Sequence, residues 1–596
     1  MCGIVGGLTK DHKIKNIILD GLINLEYRGY DSAGIAILND NNLFNIIKQI
    51  GAPSLLNSNK GLNELSGDIG LGHNRWATHG KVNHLNAHPH IIGSDEFSIA
   101  LVHNGVLENL SEFQEKLSEN TKKLLKSTTD SEIIAAYLYQ LAISGLDFDH
   151  AFKKTIDAIE GQFALLVINS KNNAIYGARR ALPLFYSSFK DNHIFSSDTN
   201  GFPREYEKTH LIIEEDILKV SKQTGPQYLS GSDIDSYTKR LISEQVDKSK
   251  YHSFMEKEIF EQAQIINHHF IEEYNFLNEF FIQNEFNEVH LIGCGTSYHA
   301  ASIAVLWFAR LAGIRAQSFI ASEFRYFPPC TGEKSLLIAI SQSGETADVI
   351  AAVTEHRKLY KKVLSICNVN GSLLTQLVDI QVPLMAGKEI GVASTKAFTA
   401  QLIALMKVIL ISRGNTLGSF AEKIMIPRLP HQINELLNLN HFDIWAKELS
   451  GYSAMMILGR GPLYPIAMEG ALKLKEIAYI HVHALPSSEL KHGSLALIDD
   501  RCPVIVMIPN DHFLKKNILT CEEIAARSGR LYLIVEEGVD HELLPEATRK
   551  ITIPSGDVFN PILFVIPFQL LAMKIANFLG HNIDKPRNLA KSVTVE

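Results

Sequence analysis

Short apolar runs separated by glycine, asparagine and aspartate dominate the first 225 or so residues of the chain. They have the length and composition of strands and lie at GIAIL (34–38), SIALVHNGVLEN (98–109), GQFALLVIN (161–169), AIYGAR (174–179) and HIFSSD (193–198). Helices are predicted near 14–25 and 131–143. Because strands and helices do not alternate, the pattern predicts an α+β domain with layered sheets.

The pattern changes after a polar stretch at 228–250, which we interpret as a linker, and a helical segment is predicted from Phe254 through Phe281. From about 287, strand-like runs lead into turns and helical segments, as in VHLIGCGTS, SLLIAISQSGET and KKVLSICN. This rhythm predicts an α/β unit with a parallel sheet.

The strand pattern of this unit recurs 166 positions later. MMILGRGPLY (455–464) follows VHLIGCGTSY (289–298) at that offset, CPVIVMIP (502–509) follows LLIAISQS (336–343), and GRLYLIV (529–535) follows VLSICNV (363–369). Apolar strands also match by chance, but one offset over three strands favours two copies of one α/β unit. Only the first copy has hydroxyls and a glycine, SQSGET (341–346), after its second strand.

Composition and charge narrow the class of protein. The 596 residues are 46% hydrophobic and 20% charged, which suits several packed domains and excludes wholesale disorder. The net charge of −8 argues against a nucleic-acid-binding protein. The six cysteines lie far apart, without CxxC or zinc-type spacing, so neither disulfides nor a metal site is predicted.

The chain has no predicted targeting or membrane segment. MCGIVGGLTK lacks the basic region and apolar run of a signal peptide. The most apolar late stretch, 562–579, contains Pro567, Gln569 and Lys574, and we expect it to be too short and interrupted to cross a bilayer, which takes about 20 apolar residues. We therefore expect a soluble cytoplasmic protein with reduced thiols and no membrane partner.

The N-terminus carries a candidate nucleophile. Removal of the initiator methionine leaves Cys2 with a thiol and a free α-amine that can act as its base. Arg75 can bind a carboxylate through two parallel bonds, Asn104–Gly105 can supply two N–H donors to an oxyanion, and Asp130 can bind an ammonium. The plainer interpretations are an incidental cysteine, a surface arginine, a turn and a helix N-cap.

Six motifs in this order, MCGIVG, EYRGYDSAGIAI, GHNRWATHG, NAHPH, VHNGVLEN and TDSE, resemble the class II glutamine amidotransferase domain, an N-terminal-nucleophile hydrolase fold with αββα layers. The resemblance implies that Cys2 attacks the glutamine amide and that Asn104 and Gly105 form the oxyanion hole. Arg75 would bind the α-carboxylate, Asp130 would bind the α-amine, and Trp76 would gate the released ammonia. The implied substrate-binding residues are Arg75, Trp76, Thr78, His79 and Asp130.

Two strand-to-helix turns of the first α/β copy are rich in hydroxyls. Thr296–Ser297 follow GCG, and the second turn contributes Ser341, Gln342, Ser343 and Thr346. Hydroxyls and free N–H groups at helix N-termini suit a phosphate, and open α/β sheets bind ligands at the carboxyl ends of their strands. Ordinary N-capping is the alternative, but two such turns favour a phosphate site.

Two later segments carry candidates for proton and imine chemistry. Glu469, Lys473 and Glu476 share one face of a predicted helix at 466–481, where a solvated salt-bridge face is the alternative. His492 follows in ELKHG and can join them in proton transfer. Lys591 lies in the C-terminal tail between apolar residues. A disordered tail is the alternative, but docking would desolvate Lys591 for attack on a ketone.

The motifs GCGTSYHA, SQSGETAD, GVASTKAFT, MEGALKLKEIAYIH, ELKHG and PRNLAKSVTVE resemble the two sugar-isomerase (SIS) domains of the glutamine–fructose-6-phosphate aminotransferase (isomerizing) family, also called glucosamine-6-phosphate synthases. With the amidotransferase motifs, the resemblance covers nearly the whole chain. It implies an amidotransferase domain at 1–225, a linker at 226–250, SIS domains at 280–419 and 446–586, and a catalytic tail at 587–596. The implied sugar-phosphate residues are Thr296, Ser297, Ser341, Gln342, Ser343, Thr346, Val392 and Ser394.

The same resemblance implies roles for the remaining candidates. Lys591 would form an imine with the C2 ketone, Glu476 would move a proton between C1 and C2, and Lys473 would relay a proton. His492 would assist ring opening in the partner subunit of a homodimer. Ser494 and Ala263 stand where the family pattern has proline, which can alter loop stiffness.

The implied reaction is the glutamine-dependent conversion of D-fructose 6-phosphate to D-glucosamine 6-phosphate, the first step of hexosamine and UDP-GlcNAc synthesis. Ammonia would pass internally between the sites, and no metal or organic cofactor would be required. One alternative is a related enzyme for another phosphosugar. Another is a non-catalytic sugar-phosphate sensor, which would not need Cys2, Glu476 and Lys591 together.

Overall fold

Alternate residues of one N-terminal strand, Ser32–Leu38, face two different cores. Ile35 and Ile37 pack with the helix Ile14–Asn24, whereas Ala36 and Leu38 pack between two sheets. This two-residue period is the physical basis of the layered arrangement that the sequence predicts. The structure is a computed structural model and describes residues 2–10, 12–77, 80–234, 238–239, 247–271, 274–413, 426–439 and 441–593.

The chain divides into two compact units, Met1–Glu244 with Ser592–Glu596, and Gln245–Lys591. The described strands of the first unit are β1 (Gly3–Leu8), β2 (Ser32–Leu38), β3 (Phe44–Ile50), β4 (Ile69–Arg75), β5 (His90–Gly93), β6 (Ser98–Gly105), β7 (Phe163–Asn169), β8 (Ala174–Arg180), β9 (Phe185–Phe189), β10 (Asn192–Ser196), β11 (Lys208–Leu211), β12 (Ile217–Ser221), β13 (Gly225–Tyr228) and β14 (Thr238–Lys239). Its described helices are α1 (Ile14–Asn24), α2 (Leu110–Lys116), α3 (Glu119–Lys122), α4 (Asp130–Ile143) and α5 (Phe148–Ala158).

The first unit is a four-layer αββα sandwich. One sheet has the order β14-β11-β9-β10-β1-β4-β2-β3, and the other has the order β13-β12-β8-β7-β6-β5. Helix α1 covers the first sheet, and α4 and α5 cover the second. The predicted strands and the predicted layering are confirmed.

The second unit contains two parallel sheets. Its strands are β15 (Glu288–Gly293), β16 (Arg315–Ile320), β17 (Ser335–Ser341), β18 (Lys362–Cys367), β19 (Ile380–Pro383), β20 (Ala454–Gly459), β21 (His481–Pro486), β22 (Val504–Ile508), β23 (Leu531–Glu536) and β24 (Arg549–Ile553). The orders β16-β15-β17-β18-β19 and β21-β20-β22-β23-β24 are the same topology used twice. The predicted repeat is therefore confirmed.

The described helices of this unit are α6 (Phe254–Phe260), α7 (Gln262–Ile271), α8 (Asn275–Gln283), α9 (Thr296–Trp307), α10 (Ala321–Tyr326), α11 (Ala347–His356), α12 (Leu373–Gln376), α13 (Lys396–Ser412), α14 (Ile426–Leu437), α15 (His441–Leu449), α16 (Tyr464–Lys473), α17 (Leu514–Ala525) and α18 (Asn560–Phe578). The helical stretch predicted at 254–281 is thus divided into α6, α7 and α8. One large core joins the two sheets through α9, α13, α16 and α18.

The apolar helix α18 corrects one prediction. The segment Asp557–Phe578 is 22 residues long with a hydropathy of 1.7, so by length and composition it could cross a membrane, and the expectation that it is too short is wrong. Within the structure, 83% of its most apolar window is buried. A helix that is apolar all round is also what the centre of a large core requires, and α18 occupies such a position.

Candidate active sites

Cys2 immediately precedes β1 and lies in a polar pocket of the first unit. The backbone N–H of Trp76 donates to Cys2 Sγ at 3.3 Å, and Sγ lies 3.5 Å from the carbonyl oxygen of Trp76. Burial raises the pKa of the Cys2 thiol, so a local base is needed to generate the thiolate. The pocket is lined by Cys2, Arg75, Trp76, His88, His103, Gly105, Thr129, Asp130 and Ser131.

Asn104 and Gly105 end β6 beside Cys2 and do not form the turn that was the alternative interpretation. Asn104 Nδ2 donates to the carbonyl oxygen of Cys2 at 3.1 Å. Gly105 has a φ of +133°, and a Cβ there would lie 2.2 Å from the carbonyl oxygen of Gln162. Only glycine fits this position, and Gly105 is one of the residues that line the pocket.

The predicted glutamine-binding residues that the structure describes lie around the same pocket. Arg75 is buried at 3% exposure, and its Nη1 and Nη2 donate at 3.2 Å to the carbonyls of Lys81 and Gly80, so the surface-arginine alternative is wrong. Asp130 is the first residue of α4, but Thr129 caps the helix, so the N-cap alternative is also wrong. The predicted Thr78 and His79 lie outside the described residues.

His73 is a buried neighbour of this site that the sequence analysis did not single out. Its Nε2 lies 3.1 Å from Asn104 Oδ1 and 3.1 Å from the carbonyl oxygen of His103. Both partners accept only, so Nε2 carries the proton and the amide of Asn104 is held with Nδ2 toward Cys2. Burial lowers the pKa of His73 to about 3, which keeps the ring neutral. The ring stacks on His88 with centroids 4.1 Å apart.

In the second unit, Lys591 is docked, so the disordered-tail alternative is wrong. Its Nζ donates to the carboxylate of Glu389 and, at 2.8 Å, to the carbonyl oxygen of Gly391. The two charged side chains are 4% and 0% exposed. Burial would raise the pKa of Glu389, but the adjacent ammonium of Lys591 and two backbone N–H donors lower it to about 2. The buried cation therefore has a full negative partner.

Glu389 organises the loop on which Lys591 rests. It accepts the hydroxyl of Ser394 at 3.0 Å and the backbone N–H groups of Thr395 and Ala397 at 3.0 Å each. The structure thereby brings the predicted Val392 and Ser394 close to Lys591. Glu389 was missed from the sequence because its only local signal is a charge before GVASTKAFT.

The two hydroxyl-rich turns also form, and neither helix that follows them has a side-chain cap. Ser341 Oγ accepts the N–H of Gly344 at 3.0 Å and lies 3.1 Å from Thr346 Oγ1. Ser343 Oγ accepts the N–H of Glu345 at 3.1 Å. A Cβ on Gly344, whose φ is +68°, would lie 2.0 Å from Ser372 Oγ, so this tight turn needs glycine.

The other predicted members of these turns are held by neighbours. Gln342 is half-buried in the second turn, and its carbonyl oxygen accepts the N–H of Asn368 at 3.3 Å. Ser297 Oγ accepts from Gln401 Nε2 at 2.9 Å. Hydroxyl side chains are therefore grouped at the carboxyl ends of β15 and β17, the edge at which open α/β sheets bind ligands.

In the acidic–basic trio of the second copy, Glu469 and Lys473 are buried and Glu476 is half-buried, so a solvated salt-bridge face is wrong. Lys473 Nζ lies 3.3 Å from Glu469 Oε1 and 2.7 Å from Glu476 Oε2, and neither Lys473 nor Glu469 is exposed. Glu476 lies in a π-helical turn, Leu474–Ala478, that continues α16. Burial raises the pKa of Glu476, although Lys473 and Lys591 act against it. A carboxyl with a raised pKa can both take and return a proton.

Thr296 and His299 connect the two copies. Thr296 Oγ1 donates to Glu469 Oε1 at 3.0 Å and lies 3.3 Å from Lys473 Nζ. His299 Nδ1 lies 2.7 Å from Glu469 Oε2. The predicted phosphate residue Thr296 therefore contacts Glu469 and Lys473 of the acidic–basic trio in this structure.

His492 is not brought to this site by its own chain. It follows the short helix Ser487–Lys491 and is exposed, and its backbone N–H donates to the carbonyl oxygen of Glu489 at 3.0 Å. Within the described part of the chain, no hydrogen bond or ion pair joins its side chain to Lys591 or Glu476.

Comparison with known proteins finds the domains that carry these two sites in one protein family. Residues 73–203 match the glutamine amidotransferase domain family, and residues 284–411 and 448–576 each match the SIS domain family. The glutamine–fructose-6-phosphate aminotransferases (isomerizing) of Pseudomonas putida and Acinetobacter baylyi are 38% and 37% identical, over 100% of this chain and 100% of theirs.

A solved structure agrees for the second unit. The C-terminal domain of glucosamine-fructose-6-phosphate aminotransferase from Francisella tularensis is 35% identical, with a TM-score of 0.53, and the match covers 57% of this chain and 100% of that one. With full-length relatives above 30% identity and both domain types in the same order, the chain belongs to the glutamine–fructose-6-phosphate aminotransferase (isomerizing) family.

Proposed function

We propose that the protein transfers the amide nitrogen of glutamine to D-fructose 6-phosphate and isomerises the product to D-glucosamine 6-phosphate, releasing glutamate. The observation that carries this proposal is the burial of Lys591 beside Glu389, with the hydroxyl-rich turns and Glu476 in the same unit, in a chain whose N-terminus presents Cys2 in a polar pocket. Family membership supports the pairing of these two activities.

At the first site, Cys2 is the nucleophile. Its Sγ attacks the amide carbon of glutamine after the freed α-amine takes the thiol proton. The developing oxyanion is stabilised by Asn104 Nδ2 and the N–H of Gly105, and ammonia leaves with the proton. Water then hydrolyses the thioester to glutamate. Arg75 and Asp130 bind the α-carboxylate and the α-amine.

At the second site, the ammonium of Lys591 first releases a proton to water, and the free amine then attacks the C2 ketone and forms an imine with loss of water. Ammonia then replaces the lysine at C2, which regenerates the amine of Lys591. Glu476 takes a proton from C1 and delivers it to C2, converting the 2-imino ketose into the 2-amino aldose. The hydroxyl-rich turns, with Val392 and Ser394, hold the sugar phosphate, while Lys473 relays protons.

Two further features belong to the proposal. Ammonia passes internally between the sites, because in bulk water it would become ammonium, which is not a nucleophile. His492 acts in the partner subunit of a cytoplasmic homodimer, which its exposure and its separation from Lys591 within one chain support. No metal or organic cofactor takes part.

The test is isotopic. Purified enzyme is incubated with fructose 6-phosphate and amide-¹⁵N glutamine in the presence of unlabelled ammonium, and the hexosamine phosphate is analysed by mass spectrometry. We expect ¹⁵N-labelled glucosamine 6-phosphate. Hexosamine carrying only unlabelled nitrogen would contradict internal transfer. Turnover with a different phosphosugar alone would favour a related pathway enzyme, and binding without turnover would favour a sensor.

A further inference from the structure

Glu258 on α6 has a buried carboxyl group outside the sites described above. It is 2% exposed, and its Oε1 accepts the backbone N–H groups of Ile390 at 2.5 Å and of Gly391 at 3.2 Å. It lies in the segment KEIFEQ, about 130 residues before this turn in the sequence. A buried carboxyl oxygen that accepts two consecutive amides fixes the orientation of that turn.

The turn that Glu258 holds is the one that holds Lys591. Gly391 makes a hydrogen bond through each of its backbone polar groups. Its N–H donates to Glu258, and its carbonyl oxygen accepts from Lys591 Nζ at 2.8 Å. Glu389, the charge partner of Lys591, immediately precedes the two amides. A displacement of this turn would therefore move both acceptors of the lysine at once.

Helix α6 is in turn anchored to the segment that leads into the tail carrying Lys591. The carboxylate of Asp584 accepts the N–H groups of Phe254 at 3.1 Å and Met255 at 2.9 Å, at the start of α6. The carbonyl oxygen of Asp584 accepts the N–H of Val392 at 3.1 Å. The helix, the loop and the tail thus form one closed set of contacts around the amine of Lys591.

The close packing of Glu258 against Gly391 and the pKa of Glu258 are both consistent with this set of contacts. A Cβ on residue 391 would lie 2.8 Å from Glu258 Oε2, so a larger residue there would displace the Glu258 side chain from the turn. Glu258 Oε2 is buried and has no hydrogen-bond partner among the described residues. Burial and the neighbouring Glu389 raise the pKa of Glu258 to about 8, so near pH 7 it does not compete with Glu389 for the ammonium of Lys591.

We infer that Glu258 is a positioning residue for Lys591, which holds the Ile390–Gly391 turn so that Gly391 and Glu389 present the lysine amine to the ketose carbonyl. The inference rests on the proposed role of Lys591 in imine formation.

The test compares full-length Glu258→Ala and Glu258→Gln with wild type. The glutamine side chain keeps an acceptor oxygen, whereas alanine removes it. The matched control is Glu256→Gln, because Glu256 lies on the same helix and its carboxylate accepts the backbone N–H of His252 at 2.8 Å, away from the turn. For each protein, borohydride trapping of fructose 6-phosphate on Lys591 is measured by peptide mass spectrometry, together with kcat and KM for synthesis.

We expect Glu258→Ala to lower the trapping rate and kcat about 10- to 100-fold with little change in KM for the sugar, since a misplaced nucleophile loses rate rather than binding. Glu258→Gln should recover most of the rate, and Glu256→Gln should behave as wild type. If Glu258→Ala does not fold, Glu258→Asp, which withdraws the carboxylate by one methylene, should show the same loss.

Three results would overturn the inference. One is wild-type trapping in Glu258→Ala or, if it does not fold, in Glu258→Asp. Another is a glutamine variant as impaired as the alanine variant. The third is a defect confined to KM, which would indicate sugar contact. Absence of trapping in the wild-type enzyme would instead contradict the role of Lys591 itself, so the two failures are distinguishable.

Discussion

Thr296, at the start of α9 in the first SIS copy, donates a hydrogen bond to Glu469, in α16 of the second copy, with 3.0 Å between Oγ1 and Oε1. A residue expected to bind phosphate from its place in a strand-to-helix turn thus also contacts the carboxylate that partners Lys473. The two copies of the repeat are therefore connected between a residue proposed to bind the sugar phosphate and a residue beside the proposed proton relay.

We predict that Thr296→Val lowers kcat of synthesis about tenfold, because a hydrogen bond to a buried charged group contributes about 1.5–3 kcal/mol. Steady-state kinetics in fructose 6-phosphate check this, and Thr296→Ser should restore the rate because it retains the hydroxyl. A rise in KM with unchanged kcat would show instead that Thr296 serves only the phosphate.

We predict that Cys2→Ala abolishes glutamine-dependent synthesis while sugar isomerisation remains, because the thiol acts only at the amide. Glutamate release and conversion of fructose 6-phosphate are assayed on the same preparation. Cys330→Ala, which alters an exposed cysteine, is the control and should be silent. Equal loss of both reactions in Cys2→Ala would contradict separate sites.

We predict that Lys591→Arg cannot be trapped on the ketose by borohydride. The guanidinium does not deprotonate in proteins, so no imine can form. Lys585→Arg, a change shortly before the tail, should trap normally. Undiminished labelling of the tail peptide in the Lys591 variant would remove this residue from the mechanism.

We predict that His73→Phe lowers kcat for glutamine hydrolysis about 10- to 100-fold with little change in KM for glutamine. Removal of an oxyanion-hole donor lowers kcat about 10²–10³-fold. Without His73 the Asn104 amide keeps its donor but is no longer held in orientation, so the expected loss in kcat is smaller. His73→Gln retains an N–H donor and should be less affected. His84→Phe, at an exposed histidine, is the control. A change in KM alone would place His73 in substrate binding.

We predict that Glu258 makes the free energy of unfolding fall with rising pH. Burial and Glu389 raise its pKa to about 8, against the opposing charges of Lys591 and Lys396, whereas the ordinary value is 4.5. Between these values the folded protein retains a proton that the unfolded chain has lost, so stability falls from about pH 4.5 to about pH 8.

Because Glu258→Gln cannot ionise, its Tm relative to that of wild type should therefore be higher at pH 8.5 than at pH 5. Scanning calorimetry at both pH values measures the difference in Tm. A pH-independent difference would mean that Glu258 titrates at its ordinary value in the folded protein.

The sequence by itself determined the secondary structure, the repeat and most site candidates. Period-2 alternation in strands such as β2 and continuous apolar runs such as β7 are local properties, which residues impose through their own neighbours along the chain. Cys2 and Lys591 were also accessible to sequence reasoning, because one is fixed by its position beside the initiator and the other by apolar anchors around a lone lysine.

Only the tertiary structure decided which charged and polar side chains are buried and which residues they contact. Glu389, Glu258 and His73 gain their importance from partners that are 31 to 202 residues away, such as Asn104 for His73 and Lys591 for Glu389. Desolvation and charge pairing depend on neighbours in space, so no local pattern distinguishes these groups from ordinary surface residues. The apolar character of α18 has the same origin, since burial on all sides, rather than length, explains its composition.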